Sequence, residues 1–137
     1  MSQSAVFAPV LALTAWTLLI LLLMAVRRIR AVGRKEIKAS DFRSGESAQV
    51  PYAVSIVNRN YMNLLEVPVL FYVTCIVLFD LHATTATIVA IAWLYVALRI
   101  AHSLIHLSYN NVWHRVTVFA LSNATLLALW GIAVYRL

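Results

Sequence analysis

Arg59, Asn63 and Glu66 follow one another at one-turn spacing inside a stretch that is otherwise almost wholly apolar. Arg99, His102 and His106 repeat the pattern further along, again among aliphatic residues. Residues three or four apart share a helix face, so each set forms a polar stripe. Two guanidinium groups, an amide and two imidazoles facing one carboxylate suit a ligand that carries carboxylates of its own. Glu66 is then free to meet an ammonium group.

The elements that must carry these stripes are membrane spans. Of 137 residues, 63% are hydrophobic and 12% are charged, against about 25% charged in soluble domains. Mean hydropathy is +0.85. The apolar residues fall in four runs, Ala5–Val26, Val54–Phe79, Thr84–Leu107 and Val116–Tyr135. Each is long enough for the roughly 20 helical residues that cross a bilayer core. None shows the alternation of short barrel strands. The expected fold is an all-α integral membrane protein, a four-helix up-down bundle forming one domain over residues 1–137. The first run reads as a retained span rather than a cleavable signal peptide, because nothing basic precedes Ala5 and the basic residues follow Val26.

Charge predicts the orientation. Arg27, Arg28, Arg30, Arg34, Lys35, Lys38 and Arg43 crowd the loop 27–50, opposed by Glu36, Asp41 and Glu46. By the positive-inside rule this loop is cytoplasmic, as is the connection 108–115, and the N-terminus lies outside. The loop supplies most of the net charge of +6, and its simplest partner is the anionic surface of the lipid bilayer. No motif points to nucleic acid. Cys75 reads as a small buried apolar residue. His102 and His106 have a spacing that could hold zinc, but no H-E-x-x-H carboxylate or third ligand accompanies them, so no metal is expected. Gly-rich phosphate loops and a Ser-His-Asp order are absent from the sequence.

Depth sharpens the picture. Arg27 and Arg28 stand where the first span ends, and Arg59, Asn63 and Glu66 stand near the start of the second. Tyr95, Arg99, His102, His106 and Tyr109 hold one face of the third up to its end. Arg115 opens the fourth, with Ser122 and Asn123 deeper. All four spans thus bring polar groups to one half of the bilayer, while the other half has only Asp80, His82 and Arg136 at its edge. Snorkelling would account for Arg59 or Arg115 alone, and a Glu66–Arg99 pair could simply tie helices together. Against pairing alone stands the sign of the charge, since buried cations in excess need an anion.

The segment Arg59-Asn-Tyr-Met-Asn63-Leu-Leu-Glu66-Val-Pro68 resembles the signature of the MAPEG superfamily, the membrane-associated proteins in eicosanoid and glutathione metabolism. Arg99-Ile-Ala-His102-Ser-Leu-Ile-His106 and Arg115 match that family in order and spacing, and the likeness covers essentially the whole chain. The resemblance implies a homotrimer of four-helix bundles of the microsomal glutathione transferase kind. Glutathione, as cosubstrate, would lie between subunits near the cytoplasmic side. Arg59, Asn63, Glu66, Arg99, His102, His106 and Tyr109 would contact it, Glu66 at the γ-glutamyl ammonium. Arg27 or Arg28 would close the site, and Arg115 would stabilise the glutathione thiolate for attack on a lipophilic substrate or a lipid hydroperoxide. This chain departs from the family at three places. His106 stands where several members carry Tyr, Val116 replaces a small hydroxyl residue after Arg115, and Pro68 follows Glu66 more closely than in the eicosanoid enzymes. Two other classes stay open, a non-catalytic protein binding an anionic amphiphile or lipid, and a purely structural membrane module.

Overall fold

The computed structural model describes residues 2–42 and 48–137. Arg43 and Glu46 of the basic loop lie outside the described residues. Among the described residues there are five α-helices: α1 Phe7–Gly33, α2 Tyr52–Leu65, α3 Pro68–Asp80, α4 Ala86–Leu107 and α5 Val112–Arg136. Among the described residues there is no strand. Helices α2 and α3 form one apolar span, so four segments are long and apolar enough to cross a membrane. Successive spans run antiparallel. The Thr84 N–H donates to Gln3 Oε1 (3.1 Å), which sets the start of the chain beside the α3–α4 turn. At the opposite end, Asn110 Nδ2 donates to Tyr52 Oη (2.8 Å), which sets the α4–α5 turn beside the start of α2. The chain is a four-helix bundle.

Apolar side chains from every span meet inside. Leu13 and Ile20 of α1, Val57 and Leu64 of α2, Phe71 and Leu78 of α3, Ala92 and Val96 of α4 and Leu129 of α5 are buried together. Phe71 stacks on Tyr95 with ring centroids 4.4 Å apart, an arrangement that adds to what area burial alone contributes. The outward faces are apolar too. Leu11, Leu18, Leu22 and Ile29 of α1 are all more than half exposed, as expected of a surface whose solvent is lipid. Several hydroxyls inside the spans are satisfied locally. The hydroxyls of Thr14, Thr17, Thr74 and Thr117 donate to carbonyls four residues back, the usual way a hydroxyl is accommodated within a helix. One long-range polar bond crosses the core, from Asn60 Nδ2 to Ser103 Oγ (2.7 Å), and ties α2 to α4.

Three boundaries differ from the sequence expectation. First, the second span is not one continuous helix. Glu66 leaves helical geometry (φ −82°, ψ −95°) and α3 restarts at Pro68. A proline inside a helix lacks the N–H that bonds four residues back, and its ring crowds the carbonyl there. Pro9 produces no such break because it lies in the first turn of α1, where amide hydrogens have no helical acceptor anyway. Second, α1 stays helical through Arg27, Arg28 and Arg30 to Gly33. Loss of apolar character at Val26 marks the edge of the hydrocarbon and not the end of the helix. The chain then reverses at Lys35 (φ 59°), where the N–H groups of Arg34, Lys35 and Glu36 bond to the carbonyls of Arg30, Val32 and Ala31. Third, α5 begins at Val112 instead of residue 116. Asn111 caps it by accepting the His114 N–H (3.1 Å), a strongly favoured role for Asn. Arg115 is therefore a helical residue, and the connection expected over 108–115 shrinks to 108–111.

Candidate functional site

The break between α2 and α3 frees an acceptor inside the bundle. In an unbroken helix the Asn63 carbonyl would receive the Val67 N–H. Here it accepts Arg99 Nη2 from α4 (2.5 Å). Arg99 is completely buried and lies over the Phe119 ring, 5.4 Å from its centroid. Its Nε and Nη1 have no hydrogen-bond partner among the described residues. The expected alternative, a Glu66–Arg99 ion pair, is not formed. Among the described residues the single ion pair is Arg34 with Glu36 (3.8 Å), so Arg59, Arg99 and Arg115 all lack a carboxylate within bonding reach.

Arg115 is the best-anchored cation of the group. Its Nη1 donates to His106 Nδ1 (2.6 Å) and to Asn110 Oδ1 (2.7 Å). His106 Nδ1 also lies 3.1 Å from Asn110 Oδ1, so it accepts from Arg115 in one tautomer and donates to Asn110 in the other. His106 Nε2 is buried and has no partner among the described residues. His102 stacks nearly parallel to His106 (centroids 6.0 Å, 14°), and its Nδ1 is likewise buried without a partner among the described residues.

Two cavities meet at this cluster. The larger, about 310 Å³, is lined by Tyr52, Asn58, Arg59, Asn63, Glu66, His106, Asn110 and Arg115 among others. The smaller, about 170 Å³, is lined by Asn63, His102, Arg115, Val116 and Phe119. Asn63 and Arg115 belong to both walls. The larger volume is at the lower end of the range for small-molecule sites, about 300–1,000 Å³. It is polar on the α2, α4 and α5 sides, with a backbone discontinuity at Glu66. Irregular backbone at membrane depth is tolerated where it lines a cavity or is buried in protein.

The structure brings together Arg59, Asn63, Glu66, His102, His106 and Arg115, with Arg99 directly behind Asn63. It separates the two first-helix arginines. Arg28 Nη2 donates to Asn58 Oδ1 (2.9 Å), beside the larger cavity, and its guanidinium lies 4.6 Å from the Phe42 ring centroid. Arg27 faces a different crevice, against Ala53 and Val54. Tyr109 does not join the site. Helix α4 ends at Leu107, so the stripe running from Tyr95 stops at His106, and Tyr109, exposed, pairs its hydroxyl with His114 Nδ1 (3.1 Å). Among the described residues no group of three or more His, Cys, Asp or Glu is placed to hold a metal ion. Cys75 is buried and unpaired.

Asn110 is the residue that pattern reading missed. It adopts a left-handed conformation (φ 46°), which Asn tolerates better than most side chains. In that pose one amide reaches both Arg115 and Tyr52. Replacing Asn110 with Ala removes the restraint on Arg115 and leaves a non-glycine residue at positive φ. Gly removes the restraint alone. For a partner that orients a functional group, losses of about 10–100-fold are typical at metal sites, and we expect about tenfold here in turnover with little change in KM. The two variants should be equally slow but unequally stable, Asn110→Ala having the lower Tm. Turnover at the parental rate in both would remove Asn110 from the site.

Comparison with known proteins gives one finding. The model of the MAPEG family matches residues 6–135 of the chain, and no curated protein and no solved structure matches it significantly.

Proposed function

Because this chain belongs to the MAPEG family, whose members include glutathione transferases, peroxidases and eicosanoid synthases, we propose that it is a membrane-embedded glutathione-dependent transferase or peroxidase of the microsomal type. The observation that carries this reading is Arg115, held by His106 and Asn110 on the wall shared by both cavities, with no carboxylate paired to it among the described residues. Glutathione is an anionic tripeptide thiol, and the donor set fits it. Arg59, backed by Arg99, meets carboxylate; Glu66, exposed and without an ion pair among the described residues, meets the ammonium; and Asn63 offers its side chain between them. Arg28, through Asn58, closes the first-helix side of the cavity in this reading, and Arg27 does not.

When bound, glutathione supplies the nucleophilic sulfur, which either displaces a leaving group from an electrophilic carbon or breaks the O–O bond of a peroxide, releasing an alcohol and a sulfenic acid that a second glutathione converts to disulfide and water. The remaining work falls to the chain. An ordinary thiol, with a pKa of about 8.5, is mostly protonated at neutral pH. A guanidinium beside the sulfur favours the charged form and commonly lowers such a pKa by about 1–3 units. In the tautomer whose Nδ1 accepts from Arg115, His106 Nε2–H adds a donor where several family members have a tyrosine hydroxyl. Val116 and Phe119 present an apolar side to the smaller cavity, through which a substrate dissolved in the bilayer meets the sulfur. In this proposal the bundle assembles as a homotrimer, the N-terminus lies outside, and the basic loop and the 108–111 turn face the cytoplasm.

A ligand that binds only the folded state raises its stability, by about 2.7 kcal/mol at a hundred times Kd. Glutathione at millimolar concentration should therefore raise the Tm of the detergent-solubilised protein, and S-methylglutathione should do so less because it offers no thiolate. A flat melting temperature across that titration, together with no conjugation of a chromogenic aryl halide, would overturn the proposal.

A further inference from the structure

A second charged crevice lies on the other side of the α1–α2 contact, and the glutathione reading makes no use of it. It has a volume of about 290 Å³ and is lined by Leu23, Val26, Arg27, Arg30, Ala31, Arg34, Glu36, Pro51, Ala53 and Val54. Arg27, Arg30 and Arg34 recur at three and four residues along α1 and so share one face. The same face continues through Leu23 to Leu19, which is 57% exposed. One stripe thus changes from aliphatic to cationic at the level where the apolar span ends.

The crevice is held in shape by packing. Beyond the reversal at Lys35, Ile37 returns to pack with Ala31, Val50 and Val54 as a small buried cluster of its own, with Phe42 against it. That cluster closes the loop onto α1 and α2. The negative end of the α1 dipole would oppose an anion here. However, its last carbonyls are already taken up by the Arg34, Lys35 and Glu36 amides. The lining carboxylate, Glu36, is drawn to Arg34. Arg27 and Arg30 have neither an ion pair nor a hydrogen bond among the described residues.

We propose that this crevice binds the phosphate headgroup of an anionic phospholipid. Arg27 and Arg30 hold the phosphate oxygens, and Leu23, Val26 and the lipid-facing Leu19 take the start of an acyl chain. Arginine suits the headgroup because its planar fork meets phosphate oxygens two at a time. The aliphatic wall selects a lipid over a soluble phosphate, since only a lipid covers both halves of the stripe.

Native mass spectrometry of the detergent-solubilised full chain tests this, with phosphatidylglycerol or phosphatidylcholine added in parallel. Phosphatidylglycerol should remain bound and raise the Tm, and phosphatidylcholine should do neither. Arg27→Gln/Arg30→Gln should weaken phosphatidylglycerol binding about thirtyfold, as loss of two membrane-proximal charges implies. Lys35→Gln/Lys38→Gln removes the same charge away from the crevice and should leave binding unchanged. Equal loss in both double variants would reduce the effect to diffuse attraction and overturn a defined site. Equal binding of the two lipids by the parent protein, a comparison that needs no variant, would overturn it as well. Inorganic phosphate that alone reproduced the full Tm rise would assign the crevice to a free anion and not to a lipid.

Discussion

Arg115→Ala is expected to lower glutathione-dependent turnover by about 10²–10³-fold, the scale on which removing one preorganised donor to a developing anion acts. The side chain is half-buried, and its Nη1 is already positioned by two acceptors, so no reorganisation is needed when negative charge gathers at the sulfur. Alanine removes the cation and also leaves His106 Nδ1 and Asn110 Oδ1 without their shared donor. The loss should appear mainly in kcat, because carboxylate and ammonium contacts elsewhere in the cavity survive. The acid limb of the rate profile should move toward the ordinary thiol value of about 8.5. Arg115→Lys keeps a charge but cannot reproduce the fork, and should recover only part of the rate. An alanine variant with parental kcat and an unmoved acid limb would show that the thiolate is stabilised elsewhere.

Pro68→Ala should have the second large effect, and it acts entirely through backbone. With an amide hydrogen at position 68 and no ring against the Leu64 carbonyl, α2 and α3 can join. The Val67 N–H then returns to the Asn63 carbonyl, and the new amide reaches Leu64. Each such bond is worth about 0.5–1.5 kcal/mol net, so the unliganded protein should lose little stability. What it loses is the acceptor that fixes Arg99 and the turn that aims Glu66 into the larger cavity. Glutathione should bind at least about tenfold more weakly, as expected when charge-assisted contacts are misaligned. Hydrogen exchange at the Val67 amide should become slower than in the parent, and the new amide at position 68 should be protected. Parental affinity combined with a joined helix would mean that the discontinuity plays no part in binding.

The spans were legible because hydropathy is a sum over about 20 residues and tolerates local error. The two polar stripes were legible through Asn63 and His106 because residues three or four apart share a face wherever the segment stays helical. Helix ends themselves were not. Arg27, Arg28 and Arg30 continue α1 although they are charged, and Val112–Arg115 start α5 although hydropathy rises only at Val116. Lipid solubility and helicity are separate properties that happen to coincide along most of the chain. Tyr109 fell off its stripe for the same reason, since the spacing argument holds only as far as the helix does.

Neighbouring residues on a helix differ by about 100° in direction, and no composition rule says which of Arg27 and Arg28 faces the bundle. Packing decides it, by offering Asn58 and Phe42 to Arg28. Asn110 was invisible for a different reason. A lone Asn in a turn carries no periodicity, and its reach to both Tyr52 and Arg115 depends on a left-handed backbone that its Asn-Asn setting only hints at. A Glu66–Arg99 pair was the alternative visible in the sequence because sequence displays side chains, whereas the acceptor of Arg99 is a main-chain oxygen.

That last contact has a consequence for how the locus tolerates mutation. The oxygen that steadies Arg99 is supplied by whichever residue occupies position 63, so alanine there deletes an amide yet retains the acceptor. A systematic survey of side-chain replacements would score the Asn63–Arg99 tether as absent. Only altering the peptide chain itself, by an ester at the 63–64 linkage or by relieving the imino acid five positions on, exposes a dependence written in the skeleton of the polymer.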